Sequence, residues 1–501
     1  MIQVRICFRF MPRMAFPSWT YVPWFVYGNN HPLRVKYSEF RKAGKDGYIQ
    51  VSATKPYITV FLADPQAIKE VSLQRVQFMK DVEAYEKAVG QFGPHLVSAE
   101  GDAWKRQRKV NQKAFTERNV QLVWLETANV MKELFEIWDQ NSEDVRIIQM
   151  VSVTEKLALM AISAAAFGRR LSWDKDETVP EGYRMSFEQA LTIVSASPYR
   201  RAIVPTWAEG LKKEWQTMGV AYKELMKYLR AMLMERQTGG KTHPEANESN
   251  ELSSTTDNLF DILINANESE TPETGLSEEE VIGNSFIFMF AGHESTAHAL
   301  AFALGLLALY PEVQDEVYAH IKGVIGDRKA MDYSDLNDLK LVTGVFLEAL
   351  RFYPPVTQTQ KIAQEDTTLS VARHGDEQTR ETLFIPAGAA VYFAIIPMHH
   401  HPTYWPEPER FRPSRFTEEY NKDAFLPFSV GHRSCIGRRF AETEATVALA
   451  MFLARYEVLI DTERFPTIPG ESAQARQARL LNPSHFATIA PANLALIFKR
   501  R

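Results

Sequence analysis

The sequence predicts a mainly α-helical protein with a minor β-sheet (α+β), one continuous unit spanning residues 35–501 behind an aromatic-rich segment, 1–34. Three observations carry this expectation. Several long stretches place apolar residues three and four apart, the repeat of a helix with one buried face. Runs of alternating β-formers are few and short. A third stretch, "EEEVIGNSFIFMFAGHESTAHALAFALGLLALY", is apolar nearly all round and so belongs in the core of a large domain.

Taken in order, the N-terminus carries no cleavable signal pattern, because Arg5, Arg9 and Arg13 interrupt every early apolar run. Residues 14–33 hold no charged side chain, but Pro17, Pro23 and Pro32 spoil a spanning helix. The aromatics Trp19, Tyr21, Trp24, Phe25 and Tyr27 suit a membrane interface or a groove on the protein's own surface. No segment is expected to span a bilayer. "YIQVSA" (48–53) and "YITVFL" (57–62) read as strands joined by a turn at Lys55-Pro56. "DAWKRQRKVNQKAF", "VQLVWLETANVMKELFEIW" and "GLKKEWQTMGVAYKELMKYLRAMLMERQ" follow as helices. Between about 238 and 280 the chain turns polar and acidic, which predicts exposed flexible loops around a short helix at "NLFDILINA". The long apolar helix then starts behind an acidic cap, and Gly283, Asn284, Gly292, His293 and Glu294 within it need a reason. "ETLFIPAGAAVYFAII" reads as a hairpin turning at Pro386-Ala387-Gly388, and "VALAMFLARYEVLI" as a helix running into a strand.

With 45% hydrophobic residues the chain buries a substantial core, and a net charge of −5 gives no reason to expect a nucleic-acid partner. The chemistry centres on a cysteine in "PFSVGHRSCIGRRF", residues 427–440. Only two cysteines occur, Cys7 and Cys435, which points to a reducing compartment rather than a disulfide scaffold. Zinc lacks a Cys-x-x-Cys pair, and the adjacent side chains of His399-His400-His401 project apart, so a loop or surface role is expected for them. A nucleophile, a thiolate ligand to haem iron and a buried structural cysteine all stay open on Cys435 alone.

The motifs taken together resemble those of the cytochrome P-450 superfamily of haem-thiolate monooxygenases, from about residue 45 onward. Phe428-x-x-Gly431-x-Arg433-x-Cys435-x-Gly437 is similar to the family's haem-binding loop. The resemblance implies Cys435 as axial ligand to the iron and Arg433 at a haem propionate. Glycine suits a tight turn close to a flat macrocycle, and a helix starting near Ile436 would favour the thiolate. Glu348-x-x-Arg351 and Pro408-Glu409-Arg410-Phe411 resemble the elements of a buried charge cluster formed by Glu348, Arg351 and Arg410. Trp104 and Arg108, one turn apart, match a helix reaching a propionate, and Lys361 stands where relatives usually carry another propionate-binding arginine. "AGHEST" resembles the oxygen-activation motif. Ala291 and Gly292 would make room for dioxygen there, and Glu294 with Ser295 and Thr296 would serve proton delivery.

The implied fold is a single haem domain with a long central helix over the haem and a cysteine-ligand loop. The implied cofactor is haem b, with O2 and NADPH-derived electrons as co-substrates. No flavin or nicotinamide segment is seen, so a separate NADPH–cytochrome reductase, with cytochrome b5 as a further donor, is the expected partner. Lys105, Arg106, Lys109, Lys113, Arg438 and Arg439 would form its basic docking face. The substrate expected is a bulky apolar small molecule, such as a terpenoid or other fungal secondary metabolite, facing Phe286, Phe290 and Val356. The walls are expected near 85–100, 190–215, 286–291 and 354–360. A haem-thiolate isomerase or peroxygenase and a non-catalytic haem carrier are the alternatives. The wording of the motifs resembles eukaryotic, fungal members, which implies the cytosolic face of the endoplasmic reticulum. With no anchor helix in this chain, peripheral docking through 14–33, an anchor outside the sequence and a soluble cytoplasmic protein stay open.

Overall fold

The computed structural model describes residues 2–5, 31–52, 57–140, 144–173, 179–196, 204–238, 258–269, 275–485 and 487–501. The expected turn at Lys55-Pro56, most of 14–33 and most of the polar loops between 238 and 280 lie outside these residues.

The long apolar stretch is one helix, Glu278–Leu309, and the rest of the fold is arranged around it. Ser277 starts it with a reciprocal cap: its hydroxyl accepts from the Glu280 N–H at 3.2 Å, and Glu280 accepts from the Ser277 N–H at 3.0 Å. Three glutamates in the first turn oppose the positive end of the helix dipole. The helix is packed by helices Met150–Phe167, Lys340–Phe352 and Arg438–Arg455, which explains why it is apolar on nearly every side. Its polar positions have distinct causes. A Cβ at Gly283 would lie 2.4 Å from the Pro94 carbonyl, and the Asn284 side chain accepts from the Leu96 N–H at 3.0 Å. Together they pin the 94–96 segment to the helix.

The minor sheet has six strands, in the order β1 (Ile2–Arg5), β2 (Gly47–Ser52), β3 (Tyr57–Leu62), β9 (Ala390–Ala394), β6 (Gln358–Ala363) and β4 (Phe78–Met79). β5 (Asp144–Ile147) joins β13 (Leu496–Arg500) and β10 (Tyr456–Ile460) in a second sheet, and β11 (Pro483–His485) pairs with β12 (Ile489–Pro491). The predicted 381–396 hairpin is not formed. β8 (Asp376–Ile385) pairs with β7 (Thr367–Arg373), whereas β9 runs between β3 and β6. The pattern explains the division: β9 is buried along most of its length, as a central strand requires, while β8 is largely exposed.

Two further expectations are corrected. His399, His400 and His401 are all buried rather than at the surface. His399 accepts from the Leu426 N–H at 2.9 Å through Nε2, which leaves Nδ1–H to donate to the Arg351 carbonyl at 3.1 Å. The ring thus ties the helix that carries Arg351 to the segment leading into the cysteine loop.

The charge cluster has a different third member. Arg351 meets Glu348 through two bonds, at 2.7 and 2.9 Å, both side chains fully buried. The second arginine on Glu348 is Arg415, with Nε–H donating at 3.0 Å, and not Arg410. The Arg410 side chain is 65% exposed and pairs with Glu407. Only its backbone carbonyl takes part, accepting from Arg351 and Arg415. The one-turn 3₁₀ segment Pro413–Phe416 turns Arg415 inward, where its guanidinium also bonds the Pro406 carbonyl. Arg415→Ala would take one of two arginines from the buried Glu348 and is expected to cost about 3 kcal/mol in chemical denaturation. Arg410→Ala should stay within about 0.5 kcal/mol of the parent.

Candidate active site

The cysteine loop and the midpoint of the long helix face each other across a cavity of about 750 Å³, whose lining includes Cys435, Ala291, Gly292, Glu294, Ser295 and Thr296. Cys435 is held on a bend: its N–H donates to the Phe428 carbonyl at 2.8 Å, ahead of helix Arg438–Arg455. Gly431 has φ +69°, and a Cβ there would lie 3.1 Å from Ser72 Cβ, so the turn needs glycine. At Gly437 the nearest atom to a Cβ would be 3.8 Å away, so no protein atom enforces that glycine. The thiol opens into the cavity rather than to bulk solvent. Burial pushes it up, against the Gly437 N–H, Arg108 and Arg438 acting the other way. The helix terminus and the arginines thus favour the thiolate, and burial opposes it.

One side of the cavity gathers cations. Arg433 stacks over Trp104 with its guanidinium 4.2 Å from the ring centroid, and bonds the Ala99 carbonyl at 2.9 Å and Glu100 at 2.8 Å. Arg108 donates to the Ser434 carbonyl at 3.2 Å, fastening the Gly101–Gln112 helix to the loop. Lys361 lies close enough to feel Glu100 and Arg433. Sequence reasoning missed Lys80, which no motif marks. It donates to the Val97 carbonyl and sits over the Tyr85 ring at 3.7 Å. Burial, with Arg433 and Lys361 as neighbours, brings it down to about 7. Lys80, Lys361 and Arg433 thus share one described carboxylate, Glu100, with Arg75 and Arg108 beside Arg433.

On the opposite wall Glu294 is buried. Its Oε1 accepts from the Thr488 N–H at 3.1 Å and lies 3.1 Å from the Thr488 hydroxyl oxygen, while Oε2 has no described partner. Burial raises its carboxyl to about 7. The Ser295 hydroxyl donates to the Ala291 carbonyl one turn back, at 2.7 Å. Gly292 has a packing cause as well, since a Cβ there would lie 2.2 Å from Ile162 Cδ1. Thr296 is buried and lines the cavity.

Of the expected walls, 85–100, 286–291 and 354–360 contribute lining residues. The stretch 190–215 contributes none among the described residues. Phe290 and Val356 line the cavity, whereas Phe286 stacks on Phe92 at 4.1 Å and belongs to the core. On the outer face of the 101–112 helix, Lys105, Lys109 and Lys113 border a shallow basic groove. Arg106 is not part of it, because Glu280 holds both its terminal nitrogens at 2.8 and 2.7 Å.

A thiol on a glycine bend beneath a long helix that carries an acid and hydroxyls defines the class, haem-thiolate enzymes. Comparison with known proteins agrees: the cytochrome P-450 family profile matches residues 12–483, and this chain belongs to that family. It is 38% identical over 486 residues to cytochrome P-450 monooxygenase 124 of Postia placenta, covering 96% of this chain and 90% of that protein. It is 28% identical over 416 residues to the 7-deoxyloganic acid hydroxylase of Catharanthus roseus, across 79% of this chain and 74% of the relative. Its fold is similar to that of the cytochrome P-450DA haem domain, with a TM-score of 0.74 and 22% identity over 95% of this chain and 94% of that one. The protein is accordingly a monooxygenase, an oxidoreductase with a haem cofactor.

The Glu294 carboxyl gives a pH signature. Its folded value of about 7 stands above the ordinary 4.5, so its ionisation opposes folding. Stability is fully present below about 4.5 and is lost as pH rises through about 7, by roughly 3 kcal/mol in all. Chemical denaturation between pH 5 and 8 should show this slope in the parent and a flatter one in Glu294→Gln.

Proposed function

We propose that the protein inserts one oxygen atom from O2 into a bulky apolar small molecule, with haem b on Cys435 and electrons drawn from NADPH through a separate reductase. The observation that carries this is the pairing across one cavity of a buried thiol and a buried acid, beside a group of cations that share Glu100 among the described residues.

The residues fit the group. Cys435 would ligate the iron, whose positive charge would overcome the burial that now favours the thiol. Arg433, Arg108, Lys361 and Lys80 would meet the two propionates, whose charge offsets the excess of cations beside Glu100. Gly437 lines the cavity beside Cys435, and its lack of a side chain would leave room for a macrocycle edge. When bound, the haem supplies the activation of dioxygen and the oxygen transfer itself.

The chain supplies the rest. Phe290, Val356, Val89 and Ile287 would exclude water and hold an apolar substrate against Ala291. A terpenoid or other secondary metabolite fits this lining and the kinship to a fungal monooxygenase. Glu294, raised to about 7, holds a proton near neutral pH and is the general acid. Ser295 lies one residue along, its hydroxyl parked on the Ala291 carbonyl, and must turn from that bond to pass a proton. The reductase, or cytochrome b5 as second donor, would dock on the basic groove at Lys105, Lys109 and Lys113. The site of action we favour is the cytosolic face of the endoplasmic reticulum, where such a reductase resides.

The test is reconstitution with NADPH–cytochrome reductase. Oxygen-dependent NADPH consumption that rises with an apolar substrate is expected; product formed only with added hydroperoxide would favour the peroxygenase alternative. Lys109→Glu should raise the KM for reductase several-fold at low salt with kcat little changed, and the difference should shrink as salt is added.

A further inference from the structure

Glu294 does not end at the cavity wall. Behind it the Thr488 oxygen stands 3.1 Å from Oε1 and 2.6 Å from Nδ1 of His298, and His298 Nε2 stands 3.2 Å from Oε1 of Glu155. His298 is wholly buried, one turn beyond Glu294 on the long helix, with its Nδ1 4.0 Å from Oε1. Glu155 comes from the Met150–Phe167 helix, and its side chain is 35% exposed. Four polar groups from three parts of the chain thus run in line from solvent to the cavity.

We propose that Glu155, His298 and Thr488 are positioning residues that hold Glu294 in its proton-carrying form. The inference rests on the reading of Glu294 as the general acid. Its logic is the direction of each hydrogen bond. A Glu155 carboxylate only accepts, so His298 Nε2 carries a proton toward it. A neutral imidazole then has a bare Nδ1, which takes the one proton of the Thr488 hydroxyl. The Thr488 oxygen is left facing Glu294 with a lone pair, and the contact with Oε1 is a hydrogen bond only when Glu294 supplies the proton. In the alternative an imidazolium Nδ1–H donates to the Thr488 oxygen, and the Thr488 hydroxyl donates to a Glu294 carboxylate. It holds the same protons and differs by a concerted shift of two of them: Nδ1–H to the Thr488 oxygen, and the hydroxyl proton to Oε1. That alternative creates two further charges at buried positions, which desolvation opposes.

A charged His298, and a Thr488 hydroxyl turned to Oε1, would instead favour the Glu294 carboxylate, and burial and Glu155 oppose that arrangement. His293, on the same helix, is lowered to about 4 by burial and brings no charge near neutral pH. The β11–β12 connection contributes Thr488, which does not titrate. The array is the orienting arrangement of an acid, an imidazole and a hydroxyl, turned here to keep a carboxyl neutral rather than to activate a nucleophile.

The two bond directions predict opposite signs. The infrared carbonyl band of protonated Glu294, assigned by its loss in Glu294→Gln, is titrated in the ferric protein as purified. If the Thr488 oxygen accepts from Glu294, the near-isosteric Thr488→Val lowers the midpoint by roughly one pH unit, about tenfold in ionisation constant, and Thr488→Ser retains it. Glu155→Gln, at a solvent-touching position, should lower it too, because His298 is then free to place its proton on Nδ1. A midpoint raised or unmoved in Thr488→Val overturns the proposal, as does one unmoved in Glu155→Gln should Thr488→Val fail to fold. The band reports on Glu294 whether or not turnover occurs, so a failed reductase assay beside the expected shifts would count against the monooxygenase chemistry alone.

Discussion

Glu348 accepts from two arginines and a backbone N–H with no exposed side chain among the three charges, and the floor of the cavity hangs from that carboxylate. Arg351 and Arg415 spend their remaining donors on the carbonyls of His399, Pro406, Pro408 and Arg410. An irregular segment without a ladder of its own is thereby given one, made of side chains. That segment leads directly into the loop that carries Cys435. His399 adds a second tie, from the Arg351 carbonyl to Leu426. The position of one sulfur is thus fixed by an ion cluster that never touches it. Such a cluster is a costly way to gain stability, since its desolvation nearly offsets its attraction. Its contribution is to leave the loop one arrangement.

The cavity follows the opposite principle. Among the described residues Lys80, Lys361 and Arg433 share Glu100, with Arg108 beside Arg433, and burial pushes the Cys435 thiol up. The haem that the family implies carries two carboxylates and a cation, charges that would complement this set. On the far side Glu294 is buried, one of its oxygens without a described partner, and burial sets its carboxyl near neutrality. The burial that opposes a thiolate on one wall thus keeps an acid protonated on the other.

The sequence made the framework legible where a residue type answers to one local requirement. The long helix could be read from its uniform apolarity and its acidic cap, and the cysteine bend from Gly431. Relations between distant segments were not legible. The 381–396 stretch has a good turn, but whether its arms pair depends on which strands lie beside them, and β3 and β6 come from far along the chain. Arg410 was expected inward because it sits in a recognisable motif; the turn at Pro413 instead brings in Arg415. Arg106 looked like one more surface cation until Glu280 was seen to hold it. Lys80, Glu155, His298 and Thr488 belong to no pattern of spacing, and only the packing of their elements brings them to the cavity and its acid.

The central claim is that Cys435 ligates haem iron as a thiolate. The reduced, carbon-monoxide-bound difference spectrum of the purified protein tests it most directly, beside Cys435→Ala. A strongly red-shifted Soret band, lost in the variant, is the result this account requires. A band at the position of histidine-ligated haem, or haem retained with the same spectrum when Cys435 is removed, would contradict it.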